Sequence, residues 1–149
     1  MPLVQTIKEK TKKYRRYFVK SANTSVAANT EETLLSISGP VIIRSISVAY
    51  DGDDTTGTST STLSIEADGN TILNGYTLGE IYTNLAGYCI ATGGGFHVVC
   101  TKYSDSVKQY FFVFILDTYV SSSFVVKLKN ADTTNAAIVK NGVIYDVEV

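Results

Sequence analysis

The pair Asp68-Gly69 is the sequence feature that most constrains the fold. It joins two short runs in which apolar and polar residues alternate. An Asp-Gly pair accepts the positive φ angles of a type I′ turn, whose twist matches that of two antiparallel strands. The sequence therefore predicts a β-hairpin in which Ile65 lies opposite Ile72. One face of this hairpin is apolar and the other is polar.

The same alternation recurs along most of the chain. The apolar residues at alternate positions, expected to face a core, are Leu63, Phe124, Val126, Leu128, Val143, Tyr145 and Val147. The candidate strands are residues 17–27, 33–38, 41–50, 63–67, 70–73, 88–92, 96–102, 110–116, 123–129 and 142–149. Many short strands with turn residues between them, and no alternation with helices, predict an all-β fold, either an antiparallel β-sandwich or a barrel.

One short helix is expected to interrupt the strands. Thr77 and Glu80 have the spacing of a capping box, and Gly87 suits the position just after a helix. The apolar residues at helical spacing between them are Leu78, Ile81, Tyr82 and Leu85. Residues 78–86 are therefore predicted to form a helical crossover.

Charge is unevenly divided along the chain. Residues 1–20 hold seven cations and one carboxylate, whereas the remaining 129 residues hold six cations and thirteen carboxylates. The cations are Lys8, Lys10, Lys12, Lys13, Arg15, Arg16 and Lys20. We predict a basic N-terminal arm over residues 1–16 and a single β-sandwich domain over residues 17–149. The arm either contacts an acidic neighbouring subunit or nucleic acid, or it is a solvated tail lying against its own body.

Six consecutive apolar residues break the alternation within one strand: Phe111, Phe112, Val113, Phe114, Ile115 and Leu116. The strand is either covered on both faces within one subunit, or one face contacts another copy of the chain. Because the outer faces of a sandwich ordinarily meet water, the second interpretation is favoured. The even-numbered residues share one face and the odd-numbered residues share the other.

The sequence predicts no catalytic site, no cofactor and no metal site. His97 is the single histidine, and no carboxylate partner or pocket for it is identifiable. Asp51, Asp53 and Asp54 could begin a calcium-binding loop of the EF-hand type, which needs a bidentate glutamate at its twelfth position. Counted from Asp51, that position is occupied by Thr62, so we expect an ordinary surface loop. The run from Gly93 to Gly95 indicates a hairpin turn.

That hairpin would place Cys89 opposite Cys100. Their proximity permits a disulfide, but small apolar neighbours equally suit two buried thiols. No run approaches the roughly 20 apolar residues of a transmembrane helix, and the charged N-terminus lacks the hydrophobic core of a signal peptide. We therefore expect synthesis in a host cytoplasm without secretion, no membrane association and reduced cysteines.

Four segments together carry a family resemblance: residues 26–46, the 63–73 hairpin, residues 124–130 and residues 143–147. Their order resembles that of small jelly-roll or β-sandwich virion proteins of tailed phages, over residues 26–149. The resemblance implies a jelly-roll-like sandwich. It also implies a role in head decoration, as a cement protein or as a tail adhesin, usually in symmetric oligomers.

The functional expectation is a non-enzymatic virion structural protein, a bacteriophage capsid decoration or cement subunit that forms a homotrimer and binds neighbouring virion proteins. One alternative is a carbohydrate- or receptor-binding tail adhesin, for which the sequence offers surface tyrosines but no tryptophan. Another is a jelly-roll coat protein whose basic arm contacts packaged nucleic acid.

Overall fold

The chain forms two antiparallel sheets. The structure, a computed structural model, describes residues 12–20, 23–52, 59–87 and 98–149, without the side chain of Lys20. The strands are β1 (Tyr14–Lys20), β2 (Thr24–Val26), β3 (Glu31–Ser38), β4 (Val41–Asp51), β5 (Thr62–Ala67), β6 (Asn70–Thr77), β7 (Val98–Ser104), β8 (Gln109–Val120), β9 (Ser123–Lys129) and β10 (Ala137–Glu148). The large sheet has the order β1-β10-β4-β8-β7, with β2 also paired to β10, and the small sheet has the order β3-β9-β5-β6.

The strand order is that of a jelly roll. Strands β2, β10, β4 and β8 form one layer, and β3, β9, β5 and β6 form the other. Strands β1 and β7 extend the large sheet at its two edges. The prediction of an all-β antiparallel sandwich with a helical crossover is confirmed.

The core lies between the two sheets. Its largest fully buried side chains include Tyr50, Tyr110, Phe112, Phe124, Ile43, Ile46, Leu63, Ile65 and Leu128. Five of the seven residues expected in the core are buried: Leu63, Phe124, Val126, Leu128 and Val143. Tyr145 and Val147 pack against the core but remain partly exposed, because both line a groove of about 590 Å³ between β10 and β3.

The hairpin turn is confirmed, but part of its pairing was predicted wrongly. Asp68 and Gly69 have φ angles of 53° and 77°, as the turn requires. Ile65 pairs with Leu73 rather than with Ile72. Ile72 is an extra residue in β6, a bulge that brings Leu73 into the core and leaves Ile72 46% exposed.

The Asp68 carboxylate ties this hairpin to the turn between β8 and β9. It accepts hydrogen bonds from the backbone N–H groups of Ser121, Ser122 and Ser123, at 2.9, 2.7 and 3.1 Å. The hydroxyls of Ser121 and Ser122 donate to it as well. These donors stabilise the ionised carboxylate and hold its pKa far below the ordinary value. The turn residue therefore also fixes the hairpin against a distant turn.

The predicted crossover forms as a very short α-helix, α1 (Leu78–Glu80), followed by a π-helical turn over Ile81–Leu85. The Thr77 hydroxyl accepts the Glu80 N–H at 3.0 Å, which confirms the cap. Gly87 follows the segment with φ 61°. The wider turn is closed by the Ala86 N–H, which donates to the Ile81 carbonyl at 2.8 Å.

The N-terminal strand differs from its predicted limits. Residues 17–27 were expected to form one strand, but β1 begins at Tyr14 and β2 is separate. Both strands pair with β10, which is long enough to take them one after the other. Residues 14–16, assigned to the arm by the predicted boundary, therefore belong to the large sheet.

Several predicted features lie outside the described residues: Cys89, His97, Asp53, Asp54 and the run Gly93 to Gly95. Cys100 is buried, and this burial raises the pKa of its thiol. No helix among the described residues is long and apolar enough to cross a membrane.

Candidate subunit-contact surface

The outer face of the large sheet, which points away from the core, carries a row of alternating charges. Arg16 of β1 pairs with Asp146 of β10, and Arg44 of β4 lies at a bulge next to it. Asp117 of β8 ends the row, at the bulge opposite Arg44. The register of four strands thus brings four charged side chains together from distant parts of the chain.

Asp146 is the centre of this row. The Arg16 Nε and Nη2 atoms donate to its two carboxylate oxygens at 2.8 and 3.1 Å, and the Arg44 Nε atom donates at 2.7 Å. The Arg44 Nη1 atom also donates to Asp117 at 3.1 Å. Asp146 is only 4% exposed. Hydrogen bonds, first from Arg16 and then from Arg44, lower the pKa of Asp146 to about 2.

This pKa predicts a specific dependence of stability on pH. A carboxylate whose pKa is lower in the folded protein stabilises it above the unfolded pKa, near 4, and loses that contribution as pH falls through the folded value. We therefore expect Asp146→Asn to lower the thermal transition temperature at pH 6 and to flatten its decline between about pH 4 and pH 2. Thermal denaturation followed by circular dichroism from pH 2 to pH 6 measures both effects.

Asp117→Asn is the matched control for this experiment. Asp117 pairs with the same arginine, but its side chain is 60% exposed, and exposed ion pairs contribute little. Asparagine also tolerates the positive φ of 44° at this position. If the two variants shift the pH profile equally, the central role of Asp146 is wrong.

An apolar patch lies beside the charged row. We define it as Phe18 and Ile144 on β1 and β10 together with Phe111, Val113 and Ile115 on β8. Ser45 and Ser47 of β4 lie between these two groups on the same outer face. Phe18 is 73% exposed and Ile115 is 39% exposed, and the other three are half-buried. Beside Phe18 and Val113, a groove of about 370 Å³ lies over Gly142, where no side chain fills the surface. The patch offers both a protruding aromatic ring and a recess.

The structure separates the six residues of the predicted self-association strand. Phe112 and Phe114 point into the core, and Leu116 packs partly against it. Phe111, Val113 and Ile115 lie on the outer face. Strand β8 runs between β4 and β7 and is therefore an interior strand of the large sheet. One of its faces fills the core, and the other contributes three of the five residues of the apolar patch.

The structure also divides the predicted contact arm. Lys8 and Lys10 lie outside the described residues, and Lys12 and Lys13 are exposed just before β1. Arg15 is exposed within β1 and Lys20 ends that strand. Arg16 binds Asp146 of its own subunit. Arg16 therefore ties the edge strand to β10, whereas Lys12 and Lys13 lie exposed before that strand.

Sequence reasoning missed Phe18, Ile144, Arg44 and Asp146 as parts of this surface. The alternation of Val143, Tyr145 and Val147 places Asp146 on the face that is expected to meet water. Ile144 and Phe18 could have indicated this surface from the sequence, because they are apolar residues at positions that the alternation assigns to the water-facing side. The cross-strand register that joins them could not be read from the sequence.

No protein-family model matches the chain, and neither does any curated protein sequence. Within residues 12–20, 23–52, 59–87 and 98–149, no three His, Cys, Asp or Glu side chains cluster as metal ligands would. The outer face combines an apolar patch, a shallow groove and a neutralised charged row. These are properties of surfaces that bind protein.

Proposed function

We propose that this chain is a non-enzymatic structural subunit of a virus particle, of the capsid decoration or cement kind. It associates with further copies of itself, as a trimer, and with neighbouring proteins of the particle. The jelly-roll strand order supports this proposal as far as a fold can, since unrelated functions share the same fold.

The apolar patch on the outer face is the observation that carries the proposal. Each sheet of a sandwich needs only one apolar face, which packs in the core. Its other face ordinarily carries polar side chains that meet water. Here Phe18, Val113 and Ile115 interrupt that polar face and remain accessible. A partner that covers the patch removes apolar surface from water, which contributes roughly 25 cal/mol for each Å² buried.

Sedimentation velocity over a range of protein concentrations tests self-association directly. We expect the sedimentation coefficient to rise with concentration towards that of a trimer. A chain that stays monomeric at high concentration would contradict the proposal. Mass spectrometry of purified particles would test whether the protein is part of the particle. Binding on a glycan array would support the adhesin alternative, and binding in a nucleic-acid titration would support the coat-protein alternative.

Removing Lys8, Lys10 and Lys12, three of the four cations before β1, is expected to abolish incorporation into the particle without unfolding the subunit. Deletion of residues 1–12 leaves β1 intact and keeps Lys13, whose carbonyl accepts the Val149 N–H at 2.9 Å. The thermal transition should therefore change little. Contacts between exposed cations and an acidic neighbour are screened over about 8 Å at physiological salt, so incorporation of the full chain should fall as salt rises.

A variant with Lys8, Lys10 and Lys12 replaced by glutamine is the matched control, because it keeps the length of the arm and removes its charge. If both variants lose incorporation into the particle to the same extent, the positive charge of the arm is the property that incorporation requires. Normal incorporation of the deleted chain would return the arm to the interpretation as a solvated tail.

A further inference from the structure

Strand β1 is an unusually regular sheet edge. The described sheets end in five edge strands, namely β1, β7, β3, β6 and β2, of which β2 has only three residues. The ladders of β3, β6 and β7 each contain a register shift, whereas β1 pairs with β10 over seven consecutive residues without one. Bulges protect edges against pairing with another chain, and a regular edge is open to it. The described side chains of β1 are all exposed, including the aromatic rings of Tyr17 and Phe18.

The backbone groups on the free side of β1 can be assigned. The Val149 N–H donates to the Lys13 carbonyl, so these two residues form a hydrogen-bonded pair. Hydrogen-bonded and non-hydrogen-bonded pairs alternate along an antiparallel ladder. Arg15, Tyr17 and Val19 therefore direct their backbone groups towards β10. The N–H and C=O groups of Tyr14, Arg16, Phe18 and Lys20 point away from it, along the edge that no described strand covers.

We propose that β1 pairs antiparallel with β1 of a second copy of this chain, with Tyr17 opposite Tyr17 on the two-fold axis. This inference deepens the self-association proposed above and rests on it. The two-fold edge contact is separate from the three-fold contact of the trimer, and it joins a subunit of one trimer to a subunit of another. It joins two large sheets into one continuous sheet across the two subunits. Arg16 then exchanges backbone hydrogen bonds with Phe18 of the second copy, and Tyr14 does so with Lys20, because these residues carry the free groups.

Charge selects this register. With Tyr17 on the axis, Arg15 lies opposite Val19, Arg16 opposite Phe18 and Lys20 opposite Tyr14, so no cation faces a cation. A shift of two residues in one direction places Arg16 opposite Arg16, and the opposite shift places Arg16 opposite Lys20. Like charges directly opposite each other destabilise a sheet. Asp146 also holds Arg16, with the Arg16 Nε atom 2.8 Å from a carboxylate oxygen, and in this register the Arg16 side chain lies against the Phe18 ring of the second copy.

The side chains of the proposed pair continue features within each subunit. Tyr17 stacks on Tyr145 with ring centroids 5.4 Å apart, so a Tyr17 pair on the axis would extend this stack into the second subunit. On the opposite face, Phe18 brings the two apolar patches next to each other. The pairing therefore enlarges the surface to which the proposed function assigns subunit contact.

Disulfide trapping tests the register. The two Tyr17 residues form a non-hydrogen-bonded pair, whose Cα atoms lie about 4.5 Å apart, which a disulfide can bridge. We expect Tyr17→Cys to form covalent dimers with oxidised glutathione at least about tenfold faster than Arg15→Cys or Val19→Cys alone. A mixture of Arg15→Cys with Val19→Cys should cross-link as a heterodimer. The parent chain, with Cys89 and Cys100, sets the background rate, and circular dichroism verifies that each variant folds.

Hydrogen exchange and salt dependence give independent readouts on the parent chain. At high protein concentration, the N–H groups of Tyr14, Arg16 and Phe18 should gain protection, while those of Arg15, Tyr17 and Val19 are already protected. Salt screens the repulsion between two basic strands, so edge pairing should strengthen as salt rises. The contact between the arm and an acidic neighbour has the opposite dependence. Weaker edge pairing at higher salt would count against the proposal.

The edge contact and the contact through the outer face can be contradicted independently of each other. If Tyr17→Cys cross-links no faster than Arg15→Cys while a polar substitution at Val113 still weakens association, the edge pairing is wrong and the outer-face contact stands. If Tyr17→Cys cross-links rapidly and the Val113 substitution changes nothing, the edge pairing stands and the outer-face contact is wrong.

Discussion

Replacing Phe112 with serine is expected to unfold the subunit, whereas replacing its neighbour Val113 with serine should leave the fold intact and weaken self-association. Phe112 is 1% exposed and packs in the core between the sheets. Removing a buried phenylalanine side chain costs about 3–5 kcal/mol, and a buried hydroxyl adds to that loss. Domains of this kind are stable by about 5–15 kcal/mol in total, so the variant should be largely or wholly destabilised.

Val113 is the matched position because it lies next to Phe112 on the same strand with its side chain on the outer face. Urea denaturation measures the loss of stability at each position, and sedimentation velocity measures association. We expect a large shift of the urea midpoint for Phe112→Ser, and a lower sedimentation coefficient without such a shift for Val113→Ser. Equal destabilisation by both changes, with association unaltered, would show that the two faces of β8 do not have these separate roles.

Replacing Leu128 with alanine is expected to cost about 2–5 kcal/mol of unfolding free energy, the second large effect. Leu128 is fully buried on β9, an interior strand of the small sheet, directly opposite Leu63 of β5. Truncating it removes apolar contacts and leaves a cavity between the sheets. The urea midpoint and the slope of the transition together give the change in free energy.

Lys127→Ala serves as the control for this change, since Lys127 is adjacent in β9 and points to the opposite face. A change within about 0.5 kcal/mol is expected there. If Leu128→Ala destabilises the protein no more than Lys127→Ala, Leu128 is not a core residue of the kind described.

Local patterns in the sequence were sufficient to predict the fold class. The Asp68-Gly69 turn, the apolar residues Val126 and Leu128 on β9 and the cap at Thr77 depend on residues close together in the chain. The failures have a different cause. The bulge at Ile72 is selected by packing of Leu73 against the core, and the early start of β1 depends on pairing with β10. Neither influence is visible in a local pattern.

The candidate surface was predictable only in part. The run from Phe111 to Leu116 indicated an apolar outer face, because six consecutive apolar residues place apolar side chains on both faces of a strand. Phe18 and Ile144 are 126 residues apart and become neighbours only through the ladder between β1 and β10. Asp146 likewise depends on two arginines from other strands. A single sequence contains these residues but not the register that brings them together.

The position of β10 has a consequence for synthesis of the protein. This strand follows all its partners in the chain, yet it lies inside the large sheet and pairs with β1, β2 and β4. As the ribosome makes the chain, β1 and β2 have no ladder to join until residues 137–148 emerge. The small sheet can assemble earlier, since β9 ends before β10 begins. The large sheet can therefore close only after β10 has emerged, and until then the nascent chain exposes strand edges that chaperones can shield from aggregation.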